Sequence, residues 1–345
     1  MKNPLLAVPL ALALFGTART AQVQTAAAPY RLLNTIAIGG EGGWDFLVVD
    51  PAGERLYVAH GTQTEVIDLK TKKLIGAVPN TPGAHGIAIV PAANRGYVSC
   101  GRNNYCVAFD LKTLKNLGTT PTGPKPDAMF YDAFSQRVFA FSNDGGKSTV
   151  LDATTGKPVG TAELGGDVEV PATDGKGHIF VNLEDKSEVI EFDAKTLAVL
   201  HRHSLAPGAE PTGLAFDAKN NRLFSACANE KLVVTDSKTG KQVAVLPIGQ
   251  GVDGAAFDPS TGNIVTTNGG DGTLTVIHQD TPDKYTVIAT VPTAKGARTV
   301  AEDSKNHHLY TCTADLGSTP AATTENPKPR PSILPGTFRV LELGK

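Results

Sequence analysis

Asp45, His85, Asp127, Asp253 and Arg298 are the residues whose types and spacing could do chemistry in this chain. With Val168 and Thr212 they stand ten residues ahead of seven recurring tetrapeptides, and the Val is flanked by Asp167 and Glu169. A second set follows the start of each tetrapeptide by about five residues: His60, Cys100, Ser142, Glu184, Cys227, Asn268 and Cys312. If one surface gathers both sets, it holds several carboxylates, two histidines, an arginine and thiols. Crowded carboxylates raise one another's pKa, which is a route to a general acid or base. Carboxylates beside imidazole also suit a divalent cation. The metal set this suggests is His85, Asp127 and Asp253, within a wider binding set of Trp44, Asp45, His60, His85, Asp127, Glu169, Asp253 and Arg298. Trp44 is the only Trp and reads as a wedge between repeats. The plain alternative is polar lining without chemistry, because an Asp ahead of a strand also caps turns.

The tetrapeptides are RLYV at Arg55, RGYV at Arg95, RVFA at Arg137, HIFV at His178, RLFS at Arg222, NIVT at Asn263 and HLYT at His308. From Arg55 to His308 is 253 residues over six steps, a period of about 42 that suits a four-stranded propeller blade. Within a repeat, short apolar runs alternate with Gly, Pro and Asn clusters, as in the stretch from Gly86 to Leu114, which are strand and turn signals. The expected fold is therefore all-β, a seven-bladed β-propeller over residues 30–345. Tyr30 to Gly39 resembles the end of a repeat but precedes any first strand, and Thr337 to Leu343 resembles a third strand after which the chain stops. The two ends are expected to complete one blade, the N-terminal strand serving as its fourth, so that no long sheet edge is left open.

The third strands end in an acidic turn in five repeats, at Asp68, Asp110, Asp152, Asp193 and Asp236, where Asp can bond backbone N–H groups. The Thr-Gly-Lys after Asp152 and Asp236 resembles quinoprotein propellers, but those stack a Trp in each blade, so the likeness is set aside here. In the last repeat the turn before the third strand lengthens to residues 315–336, with Pro320, Pro327, Pro329, Pro331 and Pro335. A loop of that length inside a compact repeat is usually functional or disordered. It joins the second and third strands, so it belongs to the same face as the candidate site.

Lys2, the apolar run from Leu5 to Phe15, and small residues at Gly16-Thr17-Ala18 read as a signal peptide over residues 1–18, with cleavage as late as residue 28 also open. The expectation is a periplasmic or secreted monomer. Export would permit disulfides. Cys100 and Cys106 flank one hairpin turn, so whether they bond depends on register. Cys227 and Cys312 read as buried, unpaired thiols. A net charge of −2 with no basic stripe argues against nucleic acid as a partner. No G-x-S-x-G elbow, H-E-x-x-H helix, P-loop, dinucleotide fingerprint or C-x-x-C-H is present.

Tyr57-Val58-Ala59-His60, Tyr97-Val98-Ser99-Cys100 and His85-Gly86-Ile87-Ala88 resemble the Y-V-T-N and P-H-G-I-A signatures of the YncE-like, YVTN-repeat propellers. The resemblance implies the seven-bladed fold and a periplasmic location. It leaves the role open, since lactonases, reductase domains and surface-layer proteins share that fold. The leading expectation is an exported binding or scaffold protein acting through the channel-mouth face, on an unknown protein or small-molecule ligand. The alternative is a metal-assisted hydrolase of the lactonase kind, and a weaker one is nucleic-acid binding.

Overall fold

The computed structural model describes residues 29–324 and 329–345; the signal-peptide reading at residues 1–28 lies outside them. Seven antiparallel sheets of four strands each are arranged as blades. In blade 1 the strands run inside to outside as Trp44–Asp50, Arg55–His60, Gln63–Asp68 and Lys73–Val78. Blades 2 to 7 begin with the inner strands Ala84–Val90, Pro126–Asp132, Val168–Thr173, Pro211–Asp217, Val252–Asp258 and Ala301–Asp303. Each recurring tetrapeptide opens the second strand of its blade, as the period required. Among the described residues no helix is long and apolar enough to cross a membrane.

The third residue of each tetrapeptide is buried and joins one blade to the next. Tyr57 packs on Phe109 of blade 2, Phe139 on Phe192 of blade 4, Phe180 on Phe216 of blade 5 and Phe224 on Phe257 of blade 6, with ring centroids 4.9–5.7 Å apart. Tyr97 instead donates its hydroxyl hydrogen bond to the Ala153 carbonyl of blade 3, at 2.9 Å. The leading Arg works beside it: Arg137 donates to the Ala194 and Lys195 carbonyls at 2.9 and 2.7 Å, and Arg55 to the Leu111 carbonyl. The repeat is therefore conserved within the chain at the residues that fasten blades together, on the face away from the mouth. Asp68, Asp110, Asp152, Asp193 and Asp236 cap the third-strand turns by accepting from backbone N–H groups two and three residues on. Those bonds favour the charged form and lower all five carboxyls.

Nearest the axis the backbones approach so closely that side chains are excluded. A Cβ on Gly86 would lie 2.2 Å from the Met129 nitrogen and 2.4 Å from the Asp127 carbonyl oxygen of the next inner strand. Neither atom can move without shifting a strand, so Gly follows the candidate residue His85 for a packing reason.

The seventh blade is built from both chain ends. Arg31–Ala37 is its outermost strand, paired antiparallel to Arg339–Gly344 from Arg31 opposite Gly344 to Ala37 opposite Arg339. Its inner strand is three residues long, against six or seven in the other blades. Just before it, Thr267 Oγ1 donates to the Arg298 carbonyl and Thr299 Oγ1 to the Asp45 carbonyl, bonds that tie the segment to blades 6 and 1.

The register settles the disulfide question. Cys100 lies opposite Tyr105 and Cys106 opposite Ser99, so the two thiols are one step apart on the ladder and point to opposite faces. All four cysteines are free and buried. Burial pushes Cys100, Cys106 and Cys227 up to about 12, and Cys312 higher still. A thiol reagent such as Ellman's is expected to find no fast-reacting cysteine in the native protein and four after denaturation. Fast reaction of even one thiol before unfolding would contradict this packing.

Candidate functional site

The inner strands begin at one mouth of the central channel, and they deliver a chain of paired charges there. Arg298 of blade 7 lies with its guanidinium 3.2 Å from Asp45 of blade 1 and also against Asp253 of blade 6. Asp45 reaches His85 Nδ1 of blade 2 at 2.5 Å, and the same nitrogen is 3.3 Å from Asp127 of blade 3. Asn143, in the turn after the second strand of blade 3, donates to Asp127 at 3.2 Å and to Glu169 of blade 4 at 2.9 Å. Blade 5 breaks the series: Thr212 is buried and donates to the Val252 carbonyl.

Burial alone would lower His85, but the hydrogen bond to Asp45 and the charge of Asp127 outweigh it and hold the imidazolium above its ordinary range. Burial, reinforced by the Asp45 charge, pushes Asp127 up to about 7. Glu169 is raised well above the usual carboxyl range by burial and then by Asp127. Asp253 is raised by burial against the pull of Arg298. Arg298 is held firmly charged, since Asp253 and Asp45 overcome its desolvation.

These shifts share one sign in stability. Folded Asp127 keeps its proton up to about 7, whereas an unfolded Asp releases it near ~4, so stability falls as pH rises through that window. His85 adds to the fall: its stabilising charge is fully present below the unfolded value of ~6.5 and is lost as pH rises through the raised folded value. The urea midpoint is expected to be higher near about pH 5 than near about pH 8, and Asp127→Asn to shrink the difference. Part should remain, because burial also pushes Glu302 on the opposite face to about 7. Equal midpoints in the unsubstituted protein would refute the assignment.

Above the charges lie two cavities. The larger, about 610 Å³, is lined by Trp44, Asp45, His85, Asp127, Asn143 and Arg298, with Arg102, Lys125 and Arg330 at its edge. Its floor is rich in glycine, and at Gly101 a Cβ would stand 2.8 Å from the His85 ring, so glycine there makes room for the imidazole. The second cavity, about 500 Å³, shares Gly43, Trp44, Arg298 and Arg330 with the first and adds Gly251, Lys295, Leu316, Pro331 and Ile333. Trp44 donates its indole N–H to the Gly296 carbonyl at 3.0 Å, which joins blade 1 to the loop before blade 7 while its ring stays in both cavity walls.

The described part of the 315–336 excursion is folded, not loose. Leu316 and Ile333 form a bridge, Gly317 N–H bonds the Ser332 carbonyl at 2.8 Å, and Leu334 N–H bonds the Asp315 carbonyl at 2.9 Å. Asp315 is further tied to Arg339 at 2.8 Å. This stem carries Arg330, Pro331 and Ile333 over the mouth.

Several expectations need correction. His60 does not line either cavity; it is buried, stacked on Phe338 with centroids 3.9 Å apart and paired with Glu65 at 3.2 Å. Cys100, Cys227 and Cys312 also point into the blades, because residues at that strand position face the core. Of the second set only Glu184 reaches the charged group, beside Glu169. For a metal, the atoms that converge belong to Asp45, His85 and Asp127, all within 4.8 Å of one another, while Asp253 is held by Arg298. Arg102, Lys125, Asn143 and Arg330 escaped the reading by repeat because they sit in turns, which carry no period.

Fold and mouth together define a seven-bladed β-propeller with self-paired charges beneath two open cavities. The chain belongs to the PQQ_2 family, described as "Outer membrane protein assembly factor BamB", which matches residues 102–308. Among solved structures it is similar to a chain of Kuenenia stuttgartiensis hydrazine synthase, with a TM-score of 0.67 at 16% identity over 80% of this chain and 94% of that one. It is also similar to a chain of a mitotic checkpoint complex, with a TM-score of 0.69 at 14% identity over 99% and 98%. Identities this low speak for the fold alone. No curated protein matches. The family is thus coarser than the YVTN repeat that the sequence resembles. The quinoprotein-like turns set aside on the tryptophan count lie inside the matched span, at Asp152 and Asp236.

Proposed function

We propose that the protein is a non-enzymatic binding protein of the cell envelope that holds its ligand or partner at the channel mouth, with the 315–336 excursion as the rim. One observation carries this: Asp45, His85, Asp127, Asp253 and Arg298 are engaged with one another, whereas the cavities above them are open and bordered by the folded stem of the excursion. Membership of a family described as an outer membrane assembly factor supports an envelope location, as does the signal-peptide pattern. The YncE-like resemblance is the finer family reading that goes with it.

The test is site-directed photo-cross-linking in cells that make the protein. A cross-linker at Lys125 or Leu334 on the rim is expected to give an adduct of defined mass, and one at Lys70 on the opposite face none. Shortening residues 315–336 should abolish the adduct. Adducts unaffected by the shortening would sink the proposal.

A second reading, metal-assisted hydrolysis, rests on the convergence of Asp45, His85 and Asp127. Against it, the His85 nitrogen that faces the two carboxyl groups is already engaged, 2.5 Å from Asp45 and 3.3 Å from Asp127. Elemental analysis decides it: one bound metal, lost in Asp127→Asn together with turnover of a lactone, would put hydrolysis first.

A further inference from the structure

The mouth chemistry can be narrowed further, resting on the binding reading above. Two carboxylates and five basic side chains line the larger cavity: Asp45 and Asp127 against His85, Arg102, Lys125, Arg298 and Arg330. Arg298 is engaged with Asp253 and Asp45, and His85 with Asp45 and Asp127. Lys125 has only the solvent-exposed Asp144, at 3.4 Å. Arg102 and Arg330 have no carboxylate within ion-pair distance among the described residues. The cavity edge therefore carries three solvent-facing cations, of which Arg330 senses Asp253 only from beyond ion-pair distance, although the whole chain has a net charge of −2.

The neighbouring cavity differs in character. Trp44, Leu316, Pro331 and Ile333 supply apolar surface, and glycines at 251, 269, 270 and 296 leave the space open. Trp44 and Arg330 stand in the walls of both, so one molecule can touch the two at once. Volumes of about 610 and 500 Å³ lie in the range of small-molecule sites.

We propose that the two cavities form one site for a small amphipathic anion, its apolar body between Trp44 and the Leu316–Ile333 bridge and its charged head toward Arg102, Lys125 and Arg330. The guanidinium groups fit a carboxylate or a phosphate-type head equally well in chemistry, each offering a fork of N–H donors. The apolar body supplies the affinity that exposed cations alone do not give.

The single Trp makes the site observable, since all indole emission comes from Trp44. The purified protein is titrated with phenylbutyrate, phenylbutylphosphonate, phenylbutanol and acetate. Expected is a saturable change in emission with at least one of the two phenyl anions, binding at least about tenfold tighter than the alcohol or acetate, a difference of ~1.4 kcal/mol. Carboxylate against phosphonate then tells which head group the site prefers. Arg102→Ala with Arg330→Ala should weaken the anion at least about tenfold with an unchanged thermal midpoint, and Ile333→Asp should abolish the emission change. Equal binding of the alcohol overturns the proposal. So does a double variant that binds normally, or the absence of any saturable change below about 10 mM. Rim cross-linking that persists while these probes fail would leave the binding function standing and remove this ligand class alone.

Discussion

Deleting residues 29–38 is expected to abolish the cooperative unfolding transition and leave a chain that self-associates. The segment is mostly exposed, so its weight is not obvious from area. Yet it holds Tyr30, 1% exposed against Leu309, Leu341 and Leu343, and Ile36, 5% exposed in the cluster of Leu47, Tyr310 and Val340. Burying two such side chains contributes about 1.5–3 kcal/mol each. The strand also satisfies the ladder of Arg339–Gly344, and the Phe338 carbonyl accepts from Ile38 and Gly39 N–H at 3.0 Å. Without it, blade 7 ends in an unpaired edge that templates pairing with a second chain. Against a total stability of about 5–15 kcal/mol, loss of strand and core together is not survivable. Size exclusion and a urea melt followed by circular dichroism would show this directly. Tyr30→Ala alone, expected to cost about 3–5 kcal/mol, keeps the test informative if the deletion does not express. A monomeric deletion variant with a cooperative melt near that of the intact chain would mean that the ring holds without its closure.

That closure was legible in the sequence because it is a matter of counting strands: a fourth-strand pattern before the first blade and a third-strand pattern at the end leave one arrangement. The seven blades were legible for a similar reason, since the tetrapeptides mark residues with the same work in every blade, Arg fastening a carbonyl and an aromatic filling the joint. The mouth was legible only where the period reaches it. Asp45, His85, Asp127, Asp253 and Arg298 come together because inner strands begin there. His60 and the thiols were misplaced because the second strands are sandwiched between neighbouring blades and are buried on both faces up to their last residues. Arg102, Lys125 and Arg330 sit on turns whose geometry no repeat encodes, and they change the character of the site from acidic to mixed. The short inner strand of blade 7 was invisible too, because its segment, Arg298 to Asp303, stands in register with the full-length inner strands of the other blades.

Arg298→Ala is expected to cost about 2–4 kcal/mol near about pH 8, below the cost of breaking a fully buried pair because a third of the side chain faces cavity water. The substitution strands Asp253, whose side chain is otherwise unpaired, and removes one of the two cations beside Asp45. It also removes the donor to the Trp44 carbonyl, 3.1 Å away, so that blades 6, 7 and 1 lose a shared anchor at the mouth. The penalty should shrink toward about pH 5, because Asp253, already raised by burial, then takes up a proton in place of its lost partner. Asp253→Asn in the Arg298→Ala background should recover part of the loss near about pH 8 by removing the uncompensated charge, although Asp253→Asn alone destabilises. Urea melts of the four chains at both pH values complete the cycle. A single-variant loss under about 0.5 kcal/mol at the higher pH would show that solvent screens the pair, and Arg298 would then be free to meet a ligand. A large loss, relieved by acid and by Asp253→Asn, places Arg298 in the structure of the mouth and leaves Arg102 and Arg330 as the cations that face outward.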